Sequence, residues 1–248
     1  MATNFGALCS DFYINQKVSL KLDLPTGRET VLDMFDRVRK EVPTMERFRR
    51  FEGELSLESP EREAQYSWFA LTGTAIRTGW VNPDSLEQAY RLHRLILDIA
   101  PFFLSISPID VEYIELVYGF DLDAETNRNE IVFDALLGNS ALAGLVDPRA
   151  ESILESQPFL GISLTNTCDL QAFIEVKTRT RSAEIAAGQF EDQPISVYLT
   201  VRRYGPLREI EEFKSTFGTL AGHIERLAED RVIPNIVVPI RQAIAEQI

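Results

Sequence analysis

The chain has 248 residues, 45% hydrophobic and 25% charged, with 38 acidic against 25 basic side chains and a formal net charge of −13. This composition supports a packed core, as one large domain or two smaller ones, and argues against disorder. The acidic balance repels phosphate backbones and anionic lipid, so nucleic acid is a disfavoured partner, and no run approaches the roughly 20 apolar residues of a membrane helix.

The first element is a strand over residues 17–24, where Val18, Leu20, Leu22 and Leu24 alternate with Lys17, Ser19, Lys21 and Asp23. Pro25 stops it, and Thr26 with Glu29 forms a capping box for a helix running to about residue 41, just before Pro43. Two strands over 51–57 and 66–76 follow, joined by the polar Ser59-Pro60-Glu61. Asn82 and Pro83 suit the N-cap and first residue of a second helix carrying Leu86, Tyr90, His93 and Leu97.

Ala100-Pro101 and Ser107-Pro108 mark a boundary that divides the chain into 1–106 and 107–248. The second half repeats the order of the first. A nearly continuous apolar strand over 111–122 reads as central, and Asn127 with Glu130 caps a helix over 131–137. Strands over 159–164 and 170–180 match the two of the first half; a strand over 195–204 reads as an insertion. A long helix over 207–230 ends at Pro234, and Pro239 opens a short terminal one. Thr26 and Arg28 fall one hundred positions before Thr126 and Arg128. Strand, turn and helix in the same order, twice, indicate an internal duplication. The expected class is α+β: two related β-α-β-β-α repeats, ferredoxin-like, with antiparallel sheets, helices on one face and a long C-terminal helix. Residues 99–109 would supply the closing strand of the first repeat.

Chemistry-bearing motifs are missing. The sequence has no phosphate loop, no Gly-x-Gly-x-x-Gly, no nucleophile elbow and no His-Glu-x-x-His. His93 and His223 are the only histidines; His93 sits on an apolar helical stripe and reads as a core residue. Asp121, Asp123 and Glu125 imitate a calcium loop, but Thr126 stands where the glycine belongs and Val132 where the bidentate glutamate belongs. Cys9 and Cys168 are too few and too far apart for a zinc site or a disulfide framework. The reading therefore assigns no catalytic residue, metal or cofactor. The N-terminus lacks the pattern of a signal peptide, and the expected location is cytoplasmic.

One constellation stands out. Alternation places Leu170, Ala172, Ile174 and Val176 on one strand face and Phe173, Glu175, Lys177, Arg179 and Arg181 on the other. In 195–204, Val197, Leu199 and Val201 point inward, leaving Tyr198 and Arg202 outward. Paired as a hairpin, these strands present Phe173 and Tyr198 among Lys177, Arg179, Arg181 and Arg202. Such a face suits contact with the acidic first half, a second copy or another protein. The alternative is a small anionic ligand held between the repeats, and RNA ranks third.

The succession of strand, helix and Pro43 over 18–43, Asn82-Pro83, the region 109–122 and the strand and long helix over 197–230 resembles a sporadically distributed bacterial protein family of unknown function. The resemblance implies architecture only; no activity or catalytic residue comes with it. Tandem ferredoxin-like proteins also include CRISPR RNA endonucleases and relatives of chlorite dismutase. The chain lacks the basic balance of the first and a haem-ligand setting for the second. The reading is a binding or assembly protein without catalytic activity, self-associating or bound to another protein, with the anion enzyme or receptor as the alternative.

Overall fold

The computed structural model describes residues 5–25, 27–62 and 64–246. Nine strands, β1 (Asp11–Leu20), β2 (Arg47–Phe51), β3 (Glu54–Glu58), β4 (Tyr66–Thr72), β5 (Ala75–Val81), β6 (Val111–Leu122), β7 (Phe159–Ser163), β8 (Leu170–Lys177) and β9 (Ile195–Tyr204), form one sheet. Their order is β2-β3-β4-β5-β1-β6-β9-β8-β7, and every neighbouring pair is antiparallel. Among the described residues six α-helices accompany the sheet: α1 (Arg28–Glu41), α2 (Leu86–Phe103), α3 (Arg128–Leu137), α4 (Ser182–Ala187), α5 (Glu212–Leu227) and α6 (Val238–Glu246).

The mixed class, the antiparallel pairing and the long C-terminal helix agree with expectation; the number and arrangement of strands do not. Two ferredoxin-like repeats imply fewer strands than this single sheet contains. The region 66–76 was expected as one strand but turns back at Thr72-Gly73-Thr74 to give β4 and β5. β9 is therefore the counterpart of β5 rather than an insertion, and the supernumerary strand is β2. Residues 99–109 add no strand either, because α2 runs through Pro101 to Phe103. Proline is tolerated there because it falls in the helix's last turn and removes a single hydrogen bond.

With those corrections the sheet has a local two-fold arrangement. The hundred-residue spacing of Arg28 and Arg128 carries Gln16 onto Leu116, and these two residues face each other across the β1–β6 ladder. Outward from that axis run β5, β4 and β3 on one side and β9, β8 and β7 on the other. β3 and β7 each have five residues and pair along their full length with β4 and β8.

Several boundaries move for local reasons. β1 begins earlier than expected and ends at Leu20, because the Asp110 carboxylate accepts hydrogen bonds from the Lys21 and Leu22 backbone N–H groups at 3.1 and 2.9 Å and turns the chain; Leu22 is left exposed. The proposed Thr26 cap lies outside the described residues. α2 is capped by Ser85, whose hydroxyl accepts from Gln88 N. Asn82 instead takes a left-handed conformation (φ 47°) and bonds back to Phe12 N and Asp11. Asn127 caps α3 as expected, accepting from Asn129 N. Pro234 does not end the C-terminal helix: α5 passes through a π-helical stretch, Ala228–Val237, into α6. One apolar stripe, from Phe213 through Phe217, Ile224 and Val232 to Ile240, stays buried along it.

α2 packs on β5, α5 on β6 and β9, α1 on α2, and α3 on α6, making one helical layer. Phe12, Ile14, Val18, Ile114, Leu116, Tyr118, Phe120, Leu199 and Val201 point into the core beneath it. Phe5, Phe12, Tyr118 and Phe120 cluster with ring centroids 5.3 to 6.0 Å apart. Each such side chain withdrawn from water contributes about 1.5–3 kcal/mol. The alternate residues of the same strands point to the sheet's other face, where Tyr13, Lys17, Tyr113, Tyr198 and Arg202 remain partly exposed.

Candidate functional site

That second face holds the proposed residues. β8 and β9 pair as expected, with Ala172 opposite Val201, Phe173 opposite Thr200 and Glu175 opposite Tyr198. The strand period of two therefore carries Phe173, Lys177, Tyr198 and Arg202 to the open face. They gather into two clusters at opposite ends of the central strands.

The first cluster is built on Arg202. Its guanidinium donates to Glu115 from Nε at 2.7 Å and approaches it from Nη2 at 2.5 Å, and it donates to the Tyr204 hydroxyl at 2.7 Å. It lies 4.3 Å from the centroid of Tyr113, 5.3 Å from Phe173 and 5.4 Å from Tyr204. Such cation–π contacts contribute about 0.5–1 kcal/mol each, more when desolvated. Lys17 donates to the Tyr113 hydroxyl at 2.7 Å, and Phe159 stacks on Phe173 at 6.0 Å. An aromatic and cationic ladder thus crosses β7, β8, β9, β6 and β1.

The second cluster is built on Arg179, whose backbone is left-handed (φ 54°) just beyond β8. Arg179 donates to Ser196 Oγ at 2.7 Å and to the Tyr198 hydroxyl at 2.8 Å. Ser196 in turn donates to Asp121 at 2.5 Å, and Tyr13 donates to the same carboxylate at 3.3 Å. Burial raises the Asp121 carboxyl above its ordinary range, opposed by the Ser196 hydroxyl and the Arg179 charge. Burial, with the nearby Asp121 charge, also pushes the Tyr13 phenol upward.

Arg181 does not join either cluster. It precedes α4 and pairs with Glu184 and Glu191. Lys177 pairs with Glu175 at 3.2 Å. The cations of the sequence-derived set are thus each engaged with a carboxylate, a hydroxyl or an aromatic ring.

Sequence reasoning missed Tyr13, Lys17, Trp68, Arg77, Tyr113 and Glu115. Tyr13, Asn15 and Lys17 alternate in β1, and Tyr113, Glu115 and Val117 in β6, a signal hidden when residues 111–122 are read as apolar throughout. Trp68 lies on the open face with Arg77 above it at 5.3 Å. Two glycines make room for flat-lying rings: a Cβ at Gly79 would overlap Trp68 and Asn15, and one at Gly119 would overlap Tyr13. Between the halves, Asn15, Lys17, Trp68, Arg77, Glu115 and Thr72 line a cavity of about 420 Å³.

His93 is fully buried beneath the sheet and shares a 2.7 Å hydrogen bond with Thr78. Desolvation holds its pKa at about 3, so it is neutral. His223 lies on α5, lowered by partial burial and by Arg226. The two histidines occupy separate environments. Among the described residues no group of three or more His, Cys, Asp or Glu side chains is placed to hold a metal ion, and no helix is long and apolar enough to cross a membrane. Cys9 is pushed up to about 12, first by burial and then by Asp121 and Asp11, which leaves its thiol unreactive at neutral pH.

No family model matches this chain, and no curated protein matches it. Among solved structures, the crystal structure of the di-domain ARO/CYC BexL from the BE-7585A biosynthetic pathway aligns over 94% of this chain and 98% of its own, at 8% identity and a TM-score of 0.20. A likeness that slight carries no argument about fold or function.

Proposed function

We propose that this chain is a binding and assembly protein, built from two related modules over 1–106 and 107–248, whose open sheet face contacts a protein. The observation that carries this reading is the open face itself. It extends across the sheet opposite the helical layer and keeps Trp68, Tyr113, Phe173, Tyr198 and Tyr204 partly exposed. Its arginines are stacked and neutralised. Aromatic residues and arginine are the types enriched in protein interfaces. An anion would compete with neighbours already held within the chain: Arg202 is engaged with Glu115 and Tyr204, and Arg179 with Pro194 O, Ser196 and Tyr198.

The module reading is supported by the Gln16–Leu116 axis and by the matching of β3 with β7. The ferredoxin-like description does not carry over to the modules: each is a meander closing on β1 or β6, all antiparallel, rather than a split βαβ unit.

A second reading rests on the cavity between the halves. Lys17, Arg77 and Asn15 would suit a small polar anion, with Glu115 occupied by Arg202, and an enzyme or receptor could be built there. A thermal-shift screen with nucleotides and metabolite anions separates the two. The assembly reading predicts no stabilisation. A ligand whose stabilisation disappears in Lys17→Ala and Arg77→Ala variants would overturn it in favour of the cavity.

A further inference from the structure

The two halves differ at their outer edges. In the first, β3 is covered by β2. In the second, β7, which occupies the place of β3, has β8 on one side and no described strand on the other. Where the first half has β2, residues 138–158 form a short turn and an irregular segment held by side chains of α3's first turn: Asn127 donates to Ile153 O, and Asn129 donates to Leu154 O and accepts from Ser156 N. The segment is anchored to the helix and leaves the β7 edge bare.

The orientation of the backbone groups on β7 follows from its flanking hydrogen bonds. Val176 N donates to Pro158 O, and Leu164 N donates to Leu170 O. In an antiparallel ladder the residues that bond to the neighbour alternate. Leu160 and Ile162 therefore bond toward β8, while Phe159, Gly161 and Ser163 direct their N–H and C=O groups outward. No residue of β7 is charged. Beside it, Phe133, Leu137, Leu142, Leu145, Leu154 and Phe159, with Glu151 and Glu155 among them, line a largely apolar groove of about 800 Å³. Leu142, Leu145, Leu154, Phe159 and Leu160 are all exposed, Leu145 to 76% and Phe159 to 63%.

We infer that β7 pairs antiparallel with β7 of a second copy about a two-fold axis at Gly161, joining two sheets into one. Three features select a second copy as the occupant. First, self-pairing sets each strand against itself, which costs least when it has no charge, and β7 has none although the chain carries a net charge of −13. Secondly, a register centred on Gly161 is consistent throughout: outward-bonding Phe159 meets Ser163, Gly161 meets Gly161, and the apolar Leu160 meets Ile162. Thirdly, five backbone pairs alone fall short of the roughly 1,200 Å² of a stable interface, and the groove next to the strand, which Phe159 helps to line, supplies further apolar surface. The opposite edge is ill suited to the same arrangement, because β2 self-pairing centred on Arg49 would set Arg49 against Arg49 and crowd Arg47 and Arg50 of both copies into one short ladder. Association therefore closes at two chains.

The inference deepens the assembly reading but rests on the β7 edge rather than on the face around Arg202 and Arg179, so the two can fail separately. Sedimentation equilibrium of the purified chain should give twice the monomer mass. Gly161→Pro removes an outward N–H without touching the β8 ladder and should halve the mass. Leu160→Lys sets a charge against the second copy and should do the same, covering the case in which the proline variant fails to fold. Arg202→Ala should leave the dimer intact. A monomeric wild-type chain, concentration-dependent polymers, dimers in folded Leu160→Lys, or dissociation by Arg202→Ala would each overturn the proposal.

Discussion

Arg28 and Arg128 occupy the same position in the two halves and have opposite fates. Arg28 begins α1 in solvent. Arg128 begins α3 with 0% exposure and donates to Thr178 O, Thr180 Oγ1, Glu184, Glu191 O and Gln193 O. The difference lies in what each half must hold. β4 and β5 are joined by a tight hairpin, whereas β8 and β9 are joined by a long connection containing α4, and Arg128 gathers that connection onto the helix. Glu184 receives N–H groups from Glu191 and Arg181 as well as the Arg128 charge, which together hold its carboxyl at about 2. A shared scaffold thus leaves room for one half to add an edge strand and the other a clamped loop.

The comparison is most easily broken at the clamp. Arg128→Met leaves Glu184 and several carbonyls without their donor, and denaturant unfolding should show a loss of about 3–5 kcal/mol. Arg28→Met should fall within about 0.5 kcal/mol of the wild type. Similar losses at both positions would contradict the distinction.

A second difference concerns titration. α2 buries His93, whereas the buried residues of α5 are all apolar. The folded pKa of His93 is about 3, below its unfolded value of 6.5. Between those values the unfolded chain binds a proton that the folded chain does not. Stability is therefore complete above 6.5 and declines as pH falls, by about 1.4 kcal/mol per unit. His93→Gln should remove that slope between pH 6 and about 4.5; an unchanged slope would place the sensitivity elsewhere.

The open face offers a test in each half. Gly79→Ala and Gly119→Ala should each cost about 1–3 kcal/mol, since Trp68 and Tyr13 must leave their flat positions. Gly119→Ala should also disturb the Tyr13–Asp121 hydrogen bond, and tyrosine titration would report it. Smallest is the cap: Asn127→Ala should cost about 1 kcal/mol. In the first half the equivalent Gly27 provides no side-chain bond, so Gly27→Ala should be nearly silent.

Much of this was legible in the sequence where burial is one-sided. Alternation in β8 and β9 located both strands, their inward residues and the outward Phe173, Tyr198 and Arg202. It failed for β2, whose Arg-Phe-Arg-Arg-Phe is exposed on both faces and so shows no pattern of burial. In β6 it located the strand, Val111–Leu122, but not its outward residues, because Tyr113 counts as apolar in a pattern although its ring belongs to the open face. The partner of Arg202 could not be foreseen at all. Glu115 lies 87 residues away and meets it only because β6 and β9 are neighbours. Which cations are free and which are spent is decided by strand order, and strand order was the part of the topology misjudged when β4 and β5 were merged.

The claim that β7 is an unfilled edge which a second copy completes is tested most directly by amide hydrogen exchange on that strand. At concentrations where the dimer forms, the outward N–H groups of Phe159, Gly161 and Ser163 should be protected. On dilution they should exchange freely while those of Leu160 and Ile162, bonded to β8, stay protected. Rapid exchange at Gly161 at every concentration, or protection that persists on dilution, would contradict the account.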